Sequence, residues 1–222
     1  AVLATKKTFW LVALAASIKA FIGYGHAPFT ASFFFRNHGP EIAALADGFG
    51  LKSAGFLGLS LGLIGGTAGV IGAWLGGVFA DRLGAKDLRA YVTVPAVASL
   101  ITIPIYITAV SLDAPMTAIG LLAINALLGT LWYGPVYATA QSIVDPALRA
   151  TASAVLLLII NLIGLGLGPL AVGILSDVLA GPMGMGEAQG VRWALIFSTM
   201  LGLAAFGLFW MARKSIREEM VA

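Results

Sequence analysis

The chain has 222 residues, 59% hydrophobic and only 10% charged, with a mean hydropathy of +0.97 and a formal net charge of +3. A water-soluble domain carries about a quarter charged residues, so this composition excludes one. The absence of cysteine excludes disulfides and thiolate metal sites.

A helix needs about 20 mostly apolar residues to cross the hydrocarbon core of a bilayer. Six runs meet that length, at 8–35, 53–79, 91–111, 116–141, 150–175 and 192–212. They are too long for barrel strands of about ten residues and do not alternate. The expected fold class is therefore an all-α membrane protein, a six-transmembrane-helix bundle filling one domain over 1–222. No signal-peptide pattern opens the chain, and Ala1 in place of Met suggests a start partway through a longer protein.

In chain order, the first span is interrupted by Gly23-Tyr24-Gly25-His26-Ala27-Pro28, and His38-Gly39-Pro40 opens the first external loop. The second carries Gly58, Gly62 and Gly66 at every fourth residue, with Gly65, Gly69, Ala73 and Gly77 on an adjoining stripe. It ends in a dense charged island, Asp81-Arg82-Leu-Gly84-Ala-Lys86-Asp87-Leu-Arg89. Asp113-Ala-Pro115 turns the third span into the fourth, which is broken at Trp132-Tyr133-Gly134-Pro135 and followed by Asp145-Pro146. The fifth carries Gly164 and Gly168 and ends in Gly173-x-x-x-Asp177. Gly181-Pro182 lies in the last external loop, and the sixth span runs into a basic tail.

With six alternating spans, one side holds Lys6, Lys7, Arg82, Lys86, Arg89, Arg149, Arg213, Lys214 and Arg217, the other only Arg36, Lys52 and Arg192. The positive-inside rule puts both termini in the cytoplasm, in a multi-pass protein of a bacterial inner membrane. The basic excess is a topology signal, and no nucleic-acid partner is expected. Two features also recur three spans apart: the Gly-Pro interruptions of spans one and four, and the Gly-x-x-x-Asp ends of spans two and five. Three is odd, so the copies run in opposite directions, as in the 3+3 inverted repeats of secondary transporters.

Gly77-x-x-x-Asp81-Arg82-x-Gly84-x-Lys86, between the second and third spans of a six-span unit, resembles the cytoplasmic loop signature of the major facilitator superfamily, departing in Asp87 where a base is common. Further stretches are similar to its spinster-like branch: Phe21-Ile-Gly23-Tyr24-Gly25, Arg36-Asn-His38-Gly39, Asp87-Leu-Arg89-Ala-Tyr91-Val-Thr-Val-Pro95, and 148–153 running to 160–169. The resemblance covers essentially the whole chain as the C-terminal six-helix half of a twelve-helix protein. It implies alternating access, a lipid or amphipathic organic anion as substrate, and a missing N-terminal half as partner. A second copy of the chain is the alternative partner, forming a dimerising transporter or scaffold.

Lys19 lies about eleven residues into the first span, roughly 16 Å deep. There a lysine costs about 2.5–3.5 kcal/mol to insert, so it should face a polar cavity or snorkel to the interface. His26 follows on the same helical face. Tyr24, Asn125, Tyr133, Tyr137 and Asn161 complete the candidate lining; the resemblance favours Lys19, Tyr24, Asn125 and Tyr133, because the first and fourth helices line the cavity. For Asn161 an interhelical hydrogen bond is the better reading, and for Tyr137 both stay open. Gly23, Gly25, Pro28, Gly134 and Pro135 are candidate hinges. Asp145 is the carboxylate placed to pair with Arg82 or Arg89 in a latch that locks the cytoplasmic face; a merely solvated turn is the competing reading. The glycine stripes of spans two and five suit either a sliding seam against the partner or packing within the bundle.

No acidic residue lies deep in a span, so a proton-coupling carboxylate is not expected in this chain; the resemblance assigns it to the other half. No His/Glu cluster or phosphate loop suggests a metal, a cofactor or an enzyme. A rhomboid-type protease would need Gly-x-Ser-Gly and a later histidine, whereas Ser60 sits in Gly-Leu-Ser-Leu after both His26 and His38. No repeated pore loop suggests a channel.

Overall fold

The structure, a computed structural model, describes residues 2–220. It contains helices α1 (Val2–Thr5), α2 (Lys7–Gly48), α3 (Ser53–Gly84), α4 (Ala90–Ser111), α5 (Pro115–Gly129), α6 (Tyr133–Ser142), α7 (Arg149–Ala180), α8 (Gly186–Met200), α9 (Gly202–Ala212) and α10 (Ile216–Glu219). Six membrane-length segments result, because α5 and α6 together make the fourth span and α8 and α9 the sixth.

Helix α2 runs for 42 residues, about 63 Å, and is longer than the membrane is thick. Two expectations change here. The backbone stays helical through Gly23–Pro28, and the irregular residue is His38, at φ −137° and ψ 28°. Bilayer-embedded helices tolerate a proline when neighbours support the freed carbonyl, and α2 packs along α7 at this level. His38-Gly39-Pro40 does not open a loop either. It bends the helix, and Pro40 then falls in the first turn of the new segment, where no backbone donor is needed. Arg36 meets Glu187 at 3.6 Å, and Asn37 Nδ2 donates to the Ala188 carbonyl, fixing this arm to the start of α8.

At the opposite end, Lys6 offers no side-chain cap to α2. Glu219 of the tail supplies one, accepting from the backbone N–H groups of Lys7 at 3.0 Å and Thr8 at 2.9 Å. A carboxylate at a helix N-terminus satisfies orphan donors and complements the dipole. The tail is therefore packed onto the bundle, with Ile216 fully buried beneath it.

Glycines produce the two tightest crossings. A Cβ on Gly72 or Gly76 of α3 would overlap the carbonyl oxygens of Leu127 and Leu131, at the C-terminal end of α5 and in the turn after it. A Cβ on Gly168 of α7 would come 2.7 Å from the Phe21 carbonyl oxygen, and one on Gly25 3.0 Å from that of Gly168. The first crossing joins spans two and four, the second spans five and one, so an inverted repeat exchanges them. The offset of 96 residues that separates Gly77 from Gly173 also separates Gly72 from Gly168. Gly164 and Gly168 thus belong to the bundle interior, not to a partner seam. Gly58, Gly62 and Gly66 lie on an open face of α3, where a Cβ would meet nothing within 4 Å. Leu63, Val70 and Trp74 are exposed beside them, as are Leu158, Leu162 and Leu165 on α7.

The buried apolar side chains form two clusters. One, around Phe9, Val12, Trp132, Leu156 and Phe209, lies toward the basic end. The other, around Phe33, Phe34, Leu57, Val110 and Leu195, lies toward the opposite end. Lys19, His26, Thr102 and Asn125 sit in the layer between them.

Candidate functional site

That middle layer holds a cavity of about 360 Å³, within the usual range of small-molecule sites. It is lined from α2 by Lys19, Gly23, His26 and Thr30, from α4 by Thr102 and Tyr106, and from α5 by Asn125 and Gly129. Leu61, Ile64 and Gly65 of α3 close one side. Thr130, in the turn between α5 and α6, and Gly202, just past the interruption at Leu201, also line it. Both composite spans are therefore discontinuous at cavity level, as in transporters whose sites form where helices break.

Lys19 is 8% exposed. Its Nζ lies 3.4 Å from Thr102 Oγ1, a long contact for a group with three donors. No carboxylate lines the cavity among the described residues. His26 is held more firmly: its Nε2 is 2.8 Å from Ser198 Oγ, and its ring lies 4.4 Å from that of Tyr106. Asn125 Oδ1 is buried with no hydrogen-bond partner among the described residues. The cavity therefore combines a cation short of acceptors with apolar walls. It suits a ligand that brings negative charge on an apolar body.

Of the seven candidate lining residues, Lys19, His26 and Asn125 come together here. Tyr24, Tyr133 and Tyr137 pack as neighbours against the basic-end cluster instead. The Tyr133 ring stacks on Trp132 at 3.9 Å. Asn161 is on the outer side of α7, its Nδ2 donating to the Leu157 carbonyl one turn back. Among the proposed hinges, Gly23 lines the cavity, while Gly25 is a packing residue against α7. A Cβ on Gly134 would come 3.0 Å from the Cα of Gly77, so that position also serves a helix contact. Pro28 lies inside α2, and Pro135 in the first turn of α6. Sequence reasoning misses Thr102, Tyr106 and Ser198. Hydroxyls in membrane helices usually bond their own preceding turn, as Ser198 does with the Ala194 carbonyl at 2.8 Å, so nothing local marks them.

No family model matches the chain. It is 29% identical over 218 residues to an MFS-type efflux pump of Mycolicibacterium smegmatis, covering 97% of this chain and 47% of that protein. It superposes on crystal structures of a bacterial homologue of the human lysosomal transporter Spinster. The inward-facing, occupied form gives a TM-score of 0.83 at 26% identity, covering 99% of this chain and 52% of that one. The inward-facing, unoccupied form gives 0.86 at 25%, covering 100% and 50%. The chain is similar over nearly its whole length to MFS-type transporters. It spans about half the length of the relatives it matches and has the fold of one six-helix half.

At the basic end, the charged island forms the turn from α3 to α4. Asp81 Oδ1 accepts from the Tyr91 hydroxyl at 2.7 Å, tying the end of α3 to the first turn of α4. The Cβ direction of Gly84 points into the Tyr91 ring, which leaves no room for a side chain there. The anticipated pairing of Asp145 with Arg82 or Arg89 is not made in this structure. The acid that meets a base here is Asp87, whose Oδ1 lies 3.0 Å from Arg217 Nη2 of the tail. Asp145 instead precedes the short 3-10 turn Pro146–Leu148 that leads into α7. Asp87, the residue that departs from the loop signature, thus adds a second tie to the C-terminal tail beside that of Glu219.

The Asp87 carboxyl is held below the usual carboxylate range, first by the Arg89 backbone N–H at 2.9 Å and then by Arg217. A depressed folded-state pKa gives a contribution that is present above the unfolded carboxylate pKa and is lost as pH falls through the folded one. Thermal melting of Asp87→Asn should therefore fall below that of the parent at neutral pH and begin to converge with it only as the pH drops below about 4. Arg217→Ala should reproduce part of the neutral-pH difference, and added salt should shrink it.

Proposed function

We propose that the chain is the C-terminal half of a secondary active transporter that works by alternating access, moving an amphipathic molecule with an anionic head group. Lys19 carries this reading: an ammonium buried between two apolar clusters, in a cavity that no carboxylate lines among the described residues, calls for negative charge from a ligand. The apolar walls given by Leu61, Ile64 and Leu122 suit a lipid-like body. The likeness to a bacterial Spinster homologue and to an efflux pump supports a transport role. Both termini lie in the cytoplasm by the distribution of Lys and Arg, which fits a bacterial inner membrane.

The open faces of α3 and α7 are where a second six-helix unit docks, and rocking of the two units about the cavity exposes it to each side in turn. The coupling acid comes from that unit, since the spans of this one hold no deep carboxylate. The absence of cysteine makes the test direct. A single Gly62→Cys chain should cross-link to a co-expressed N-terminal six-helix unit, and transport should require that unit. Homodimeric cross-linking with transport by the chain alone would assign the face to a second copy. Free reaction of the cysteine with a lipid-soluble maleimide, with or without the N-terminal unit, would overturn docking on α3.

A further inference from the structure

A second cavity, of about 630 Å³, opens at the basic end between α3, α4 and the ends of α5 and α9. Its walls are apolar: Phe79 and Leu83 from α3, Val97 and Ile101 from α4, all between 42% and 53% exposed. Its mouth carries Lys86, Arg89 and Arg213. One acid, Asp87, shares that mouth, and it is already engaged by the Arg89 N–H and by Arg217. The buried Nε atoms of Arg89 and Arg213 have no hydrogen-bond acceptor among the described residues. The groove therefore ends in positive charge short of partners.

Three observations say what occupies it. From Ala90 to Ile101 the α4 wall extends about 17 Å at 1.5 Å per residue, close to the ~15 Å depth of one bilayer leaflet's hydrocarbon. The Arg213 guanidinium lies 4.0 Å over the ring of Trp210, which is 44% exposed, and tryptophan at the end of a span sits at headgroup level. At 100° per residue, Phe79 lies half a turn around α3 from Val70, so this wall of the groove faces away from the exposed Val70 and Trp74. Basic pockets at the ends of membrane helices hold anionic lipid headgroups.

We infer that this groove binds one anionic phospholipid of the leaflet at the basic face, its phosphate on Arg89 and Arg213 with Lys86 nearby, its acyl chain along Val97 and Ile101. The lipid would brace the α3–α4 turn from outside, separately from the central cavity and independently of what that cavity carries.

Native mass spectrometry of the full chain, delipidated and offered phosphatidylglycerol or phosphatidylcholine with identical acyl chains, tests this. Phosphatidylglycerol should be retained in preference, as a single tightly held molecule. The Arg89→Gln/Arg213→Gln double variant should hold it about 30-fold more weakly, while Arg89→Lys/Arg213→Lys keeps most of the preference. A second measurement leaves the bases intact: maleimide labelling of Val97→Cys should be slowed by phosphatidylglycerol and not by phosphatidylcholine. Equal retention of the two lipids, or labelling indifferent to both, would overturn the inference. So would displacement of the lipid by glycerol 3-phosphate at equal concentration, which would make the site one for a soluble anion.

Discussion

Replacing Gly76 by valine is expected to prevent the bundle from closing, while the same change at Gly62 leaves the isolated unit as stable as the parent. Both glycines lie on α3 and both belong to runs of small residues, but their surroundings differ. The Cβ direction of Gly76 ends on the carbonyl of Leu131, and that of Gly72 on the carbonyl of Leu127. A flexible side chain can move away from an added methyl group, but a backbone carbonyl cannot without shifting α5. Leu131 lies in the Thr130–Trp132 turn, so a shift there would also distort the wall of the central cavity. Over-packing a well-filled interior costs about 1–3 kcal/mol, and a clash against backbone lies at or beyond the upper end. Thermal melting in detergent, followed by size-exclusion profile, should show Gly76→Val aggregated or melting far below the parent. A Gly76→Val protein that melts with the parent would mean that α3 and α5 do not cross at this point. Gly62→Val meets nothing, so its effect should appear only where a second unit covers α3.

The same contrast marks where the sequence is legible. Span number, span type and the basic face follow from length, hydropathy and the placement of Lys and Arg, because the bilayer imposes those constraints one helix at a time. The direction in which a glycine stripe faces is not a property of one helix. Gly58, Gly62 and Gly66 have the same spacing as Gly72 and Gly76, and only the tertiary crossing separates an open face from a packed one. The break in the fourth span is readable from Gly134-Pro135, since proline removes a donor there. The similar Gly-Pro run at 23–28 leaves α2 continuous, because Gly25 lies against Gly168 and α7 supports the helix along that stretch. The pairing of Asp87 with Arg217 joins residues 130 positions apart, which no local pattern marks. Lys19 stands out because its cost in the membrane is high whatever its neighbours are. The tyrosines offer no such signal, being at home in an apolar cluster as readily as at a cavity wall.

Lys19→Met should separate stability from function. In the parent, the ammonium is taken out of water with one long contact to Thr102 in return, and insertion of a mid-span lysine costs about 2.5–3.5 kcal/mol. Methionine matches the length of the lysine stem and carries no charge to solvate, so the variant should insert normally and melt at or above the parent's temperature. The site loses the ammonium that faces the ligand. Hydrogen bonds to charged partners contribute about 1.5–3 kcal/mol, so affinity for an anionic amphipath should fall roughly 10- to 150-fold. Affinity for a neutral analogue with the same apolar body should change little. Lys19→Arg should restore part of the loss, since it keeps the charge but needs more room beside His26. If the methionine variant binds the anionic and the neutral ligands as the parent does, the ammonium is a structural passenger and the cavity does not select by charge. If it misfolds, Lys19 is held by a partner that stabilises it, and the argument for a ligand's negative charge at this position fails.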